Sequence, residues 1–116
     1  MNSVFESWMK RCKQTNFGLI LPRGWLGRPH DNILNIKSYE SNEELLTVVF
    51  DENSTVTVAG KDIVCSIRTA EAGIEYFSIS NFERLEFINR WDDHSETEIF
   101  RDGKVQFVGY GLDKVR

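Results

Sequence analysis

The amino-acid sequence predicts a mainly β (α+β) fold, in which an N-terminal helix packs on a curved antiparallel meander or small barrel of about eight strands. Three observations carry this expectation. Apolar residues recur at steps of three and four only before Phe17; beyond it the period falls to two; and the connections between successive runs are too short to hold parallel crossovers. The expected organisation is a single domain over 1–116, with the helix at 3–15, an irregular loop at 21–32 and the β-meander at 33–110.

The helix is signalled first by its start. Ser3 and Glu6 have the spacing of a capping box, in which the serine hydroxyl accepts from a backbone N–H and the glutamate reaches back to the cap. Val4, Phe5, Trp8, Met9 and Cys12 then fall along one stripe that another layer must cover. Lys10, Arg11 and Lys13 collect where cations complement the negative end of the helix dipole, and Asn16 and Gly18 offer stop positions.

Eight short runs follow: 33–39, 45–50, 55–59, 63–69, 74–80, 82–91, 97–101 and 104–109. Alternation is clearest in Thr55-Val56-Thr57-Val58 and Val64-Cys65-Ser66-Ile67-Arg68, as in strands with one buried and one wet face. Sequence neighbours are expected to pair antiparallel, with the helix covering the open side of the curved sheet. Asp102-Gly103 reads as a two-residue hairpin turn, because glycine tolerates the positive φ that a type I′ turn needs. That register sets Phe100 opposite Val105 and Glu98 opposite Phe107.

Composition narrows the function classes. The chain has 116 residues, 41% apolar and 28% charged, which is ordinary globular usage. Its apolar runs, such as 17–21 and 45–50, are far shorter than the roughly 20 residues that cross a bilayer, so no membrane role is expected. Glu6 and Trp8 ahead of Lys10, Arg11 and Lys13 fit neither a secretory signal nor a transit peptide, and with the two scattered cysteines, Cys12 and Cys65, they point to a cytoplasmic protein with reduced thiols. No cofactor motif is present, neither G-x-x-x-x-G-K-[ST] nor G-x-G-x-x-G, and none is expected.

The net charge of −4 is unevenly distributed. Residues 1–37 hold six Lys/Arg against two acids, whereas 38–116 hold eight against sixteen. Nucleic acid is not an expected partner: Tyr76, Phe77, Phe82 and Phe87 suggest stacking platforms, but Glu75, Glu83 and Glu86 beside them would repel a polyanion.

Two segments concentrate the unusual side chains. In Leu21 to Asn32, Arg23 and Arg28 are suited to fork onto a carboxylate or phosphate beside Trp25, or to pair with the downstream acids while Trp25 plugs an end of the core. His30 and Asp31 close that segment. In Trp91 to Glu98, Asp92, Asp93 and His94 suit a cation or a solvated acidic loop, although no calcium-loop or H-x-x-x-H zinc spacing is present and no metal is expected. Ser95 beside His94 lacks the G-x-S-x-G elbow of a hydrolase.

The expected function is that of a small non-enzymatic interaction domain of the acidic immunity-protein or antitoxin kind, docking a basic protein partner through Asp92 to Glu98. The alternative is a small hydrolase or isomerase in which His30, Asp31, Asp92 and His94 converge at one end of the barrel. Nothing in the pattern speaks to oligomeric state.

Overall fold

The computed structural model describes residues 2–12, 17–25, 34–51, 54–71, 73–90 and 92–109, and of residues 2, 3, 25 and 71 the backbone alone. Helix α1 (Asn2–Cys12) is followed by β1 (Phe17–Leu21), β2 (Gly24–Trp25), β3 (Ile36–Ser41), β4 (Leu45–Phe50) and β5 (Thr55–Ala59). Then come β6 (Val64–Glu71), β7 (Ile74–Ser80), β8 (Arg84–Arg90), β9 (Ser95–Phe100) and β10 (Lys104–Gly109). The ten strands form two five-stranded sheets, ordered β3-β4-β5-β8-β9 and β2-β1-β10-β7-β6, with every neighbouring pair antiparallel.

These two sheets are one meander folded over. Strands β5, β8 and β9 are adjacent in the first sheet, and their continuations β6, β7 and β10 are adjacent in the same order in the second. Residues 55–71, 74–90 and 95–109 are therefore three long strands, each bent once. The bends sit at Gly60 to Ile63, Asn81 to Glu83 and Arg101 to Gly103. Glu83 N–H donates to Ala59 O at 2.8 Å, and the Asn81 amide, whose residue has φ 58°, donates to Asp62 O at 2.8 Å. Gly60 lets the first two bends touch: a Cβ there would lie 2.9 Å from Glu83 N and 3.2 Å from Phe82 Cα.

The Asp102-Gly103 pair is accordingly a bend and not a hairpin. Phe100 faces Leu85 and Glu98 faces Phe87 in one sheet, while Val105 faces Ile79 and Phe107 faces Phe77 in the other. A positive-φ glycine serves either geometry, and φ at Gly103 is 97°. What decides is burial: as a central strand between β1 and β7, β10 buries every residue from Val105 to Gly109.

Two further expectations are corrected. Residues 21–25 are not irregular, because Leu21 pairs with Gly24 and Ile20 with Trp25 in a tight β1–β2 hairpin. The Phe17–Leu21 run carries no apolar–polar alternation, because four of its five residues are buried. The barrel alternative also fails, since the sheets do not close. Among the described residues one isolated bridge links β1 to the segment before β3, where Phe17 and Leu34 exchange N–H···O bonds of 2.9 and 2.7 Å.

The helix covers the open side, as its stripe requires. Phe5, Trp8 and Cys12 are buried, Met9 packs against the core, and Val4, at the margin of the stripe, is 40% exposed. The Phe5 ring lies 5.2 Å from Tyr39 on one sheet and 5.2 Å from Phe77 and 5.7 Å from Phe107 on the other. Trp8 adds Phe17 at 5.6 Å and Phe77 at 5.2 Å. The expected helical residues 13–15 and the Ser3 side chain of the capping box lie outside the described residues.

Phe77, Phe82 and Phe87 belong to this core, so they offer no stacking surface. No described helix is long and apolar enough to cross a membrane.

Candidate functional site

The β8–β9 turn grows from a fixed base. At the β4–β5 connection, Ser54 is 6% exposed; its hydroxyl donates to Asn89 Oδ1 at 3.1 Å and accepts from Arg90 N–H at 3.2 Å. Arg90 and Ser95 then form the last pair of the β8–β9 ladder. The chain leaves the sheet between them, which exposes Asp92, Asp93 and His94, and it re-enters as the outermost strand β9, where Ser95, Glu96 and Thr97 are exposed as well. His94 Nδ1 and Asp93 Oδ1 are 2.5 Å apart, with both side chains more than half exposed. Asp92 and Glu96 make no ion pair among the described residues. The turn thus presents negative charge in water, held on a rigid stem.

Arg23 is committed elsewhere in the chain. It stands in the β1–β2 turn, and its Nε and Nη2 donate to Glu98 Oε1 at 2.6 Å and Oε2 at 3.0 Å. Glu98 shares a sheet face with the buried Phe87, so this fork ties the turn of one sheet to the edge strand of the other. The hydrogen bonds to Glu98 raise the Arg23 pKa further above its ordinary value. Because both partners are partly exposed, the pair is worth at most about 1 kcal/mol. A double-mutant cycle with Arg23→Ala and Glu98→Ala is expected to return a coupling within that bound and weaker in high salt; a salt-insensitive coupling of several kcal/mol would contradict it.

A second carboxylate gathers the helix. Glu75, at the start of β7, accepts from Trp8 Nε1 at 3.1 Å and from both terminal nitrogens of Arg11. Those bonds push the Arg11 pKa upward. The sequence pattern marks Glu75 only as an acid beside Tyr76 and does not link it to the helix, since it lies 64 residues from Arg11 and only the fold joins them.

Of the other candidates, Trp25 contributes backbone to β2, and Arg28, His30 and Asp31 lie outside the described residues. The proposed convergence of His30 and Asp31 with Asp92 and His94 therefore has no described geometry. Among the described residues, no group of three His, Cys, Asp or Glu side chains is placed to hold a metal ion. Cys12 and Cys65 are not joined by a disulfide, and burial pushes the Cys65 thiol pKa upward, lowering its thiolate fraction near neutrality. Comparison with protein-family models, curated proteins and solved structures finds no match for the chain.

Proposed function

We propose that this domain is an acidic protein-interaction module, in the manner of an immunity protein or antitoxin, and that it takes a basic protein partner at the β8–β9 turn. The observation that supports this reading is the exposure of Asp92, Asp93 and Glu96 in one continuous stretch, with Asp92 and Glu96 unengaged by any cation among the described residues. Carboxylates left to water keep their long-range field, which speeds encounter with a positively charged surface and penalises acidic competitors. Ser54 and Asn89 hold the stem, so little ordering entropy is lost on docking. The cytoplasm is the proposed setting, in keeping with two cysteines that form no disulfide.

The test is capture of partners from a cell lysate by the tagged domain, at low and at moderate salt. The wild-type domain is expected to retain a basic protein that salt releases, and the Asp92→Lys, Asp93→Lys double variant to lose it while keeping the wild-type thermal midpoint. Capture unchanged by the double variant would remove the turn as the docking site.

A further inference from the structure

The sheet β2-β1-β10-β7-β6 has an outer face as well as a core face. Phe77, Ile79, Val105 and Phe107 are buried in the core, so the residues that alternate with them along β7 and β10 stand on the other side. There the ladders set Gln106 beside Ser78 and Ser78 beside Ser66. Tyr76 and Arg68 are paired in the next row, and Lys104 stands opposite Ser80 in the row before.

Two features of this face are not accounted for by the core. Gln106 is only 8% exposed, yet one end of its amide alone is engaged: Nε2 donates to Ser78 Oγ at 2.9 Å, and Oε1 accepts no hydrogen bond among the described residues. A buried amide oxygen without a donor is costly, and folded proteins seldom leave one. The second feature is charge. Arg68 lies over the Tyr76 ring at 4.3 Å, beside the Gln106–Ser78–Ser66 row, and Lys104 flanks that row on its other side. Neither makes an ion pair among the described residues, whereas Arg11, Arg23 and Arg84 are held by Glu75, Glu98 and Glu86. The acids near Tyr76 in the sequence are turned elsewhere: Glu75 binds the helix, Glu83 accepts from Lys61 N–H at the bend, and Glu86 belongs to the other sheet.

We propose that this outer face binds a small phosphorylated polyol of the sugar-phosphate class. A ligand hydroxyl donates to Gln106 Oε1, Ser66 and Ser78 exchange hydrogen bonds with its neighbours, and the Arg68 guanidinium, oriented by the Tyr76 ring, forks onto the phosphate. Lys104 adds positive field from the far side of the row. An apolar ligand or a bare anion leaves Oε1 without a donor, and a neutral sugar leaves Arg68 without a counter-charge. A ligand with both groups satisfies the whole row. This face lies on the sheet that does not carry the acidic β8–β9 turn, so it stands independently of the basic partner proposed there.

Titration of the isotope-labelled full chain with glucose monophosphate, ribose monophosphate, glucose and inorganic phosphate, followed through backbone amide NMR shifts, tests the site. At least one sugar monophosphate is expected to move the Ser66, Ser78 and Gln106 amides saturably and to bind at least about tenfold more tightly than glucose or inorganic phosphate. Arg68→Gln alters an exposed side chain and is expected to weaken that binding at least about tenfold with the fold retained. Ser66→Ala, also at an exposed position, should weaken it less, and Arg84→Gln on the other sheet should leave it unchanged. Gln106→Leu removes the unpaired oxygen and should abolish binding; should it fail to fold, Ser66→Ala serves in its place. No saturable shift with either monophosphate, equal affinity for glucose or inorganic phosphate alone, or binding indifferent to both Arg68→Gln and Ser66→Ala would each overturn the proposal.

Discussion

Trp8→Ala is expected to lower the unfolding free energy by about 3–5 kcal/mol, read as a shift in the midpoint of chemical denaturation. An isolated helix as short as α1, with 11 residues, is marginal in water, so its persistence depends on docking. Trp8 is fully buried and meets Phe5, Phe17 and Phe77, while its indole N–H reaches Glu75. Truncation removes the ring, leaves a cavity at the open side of the folded sheet and takes one donor from Glu75. Trp8→Phe keeps most of the packing and loses mainly the hydrogen bond, and is expected to cost about 1–2 kcal/mol. If Trp8→Ala costs no more than Trp8→Phe, the helix is not held by this ring.

Gly103→Ala is expected to be the most damaging exposed substitution, at about 1–3 kcal/mol from the backbone alone. Its φ of 97° disfavours any side chain, and the added Cβ would lie 2.9 Å from Pro22 Cβ. The bend therefore cannot relax toward the β1–β2 turn without disturbing the neighbouring Arg23–Glu98 fork. Gly60→Ala meets backbone at 2.9 Å, a contact that no rotamer change relieves, and should also destabilise. Alanine at Asp102, which is exposed, is the control and should fall within about 0.5 kcal/mol of wild type. Thermal midpoints for Gly103→Ala and Asp102→Ala that coincide would refute the bend geometry.

Both predictions depend on where the chain turns from one sheet into the other, and that was the least legible part of the sequence. Asp102-Gly103 announces a reversal that requires positive φ, but a hairpin and a sheet-to-sheet bend share the same local requirement. The choice depends on Ile79, Phe77 and Leu19, residues far along the chain that pair with Val105 and Phe107. The candidate site divides in the same way. The exposure of Asp92 to Glu96 followed from a run of charged residues between two strands, whereas the capture of Arg23 by Glu98 needed two sheets brought together.

What the sequence by itself determined is the local pattern: one amphipathic helix with Phe5, Trp8 and Cys12 inward, and strands whose period of two sorts Val56, Val58, Leu85 and Phe87 to the core. Periodicity is a property of neighbouring residues, so it is present before folding. Only the tertiary structure decided that three of those strands bend at Gly60, Asn81 and Gly103, that Phe17–Leu21 is a central strand, and that Glu75 and Glu98 receive arginines. Those outcomes arise from burial and pairing between distant segments, and no short window of sequence contains both partners.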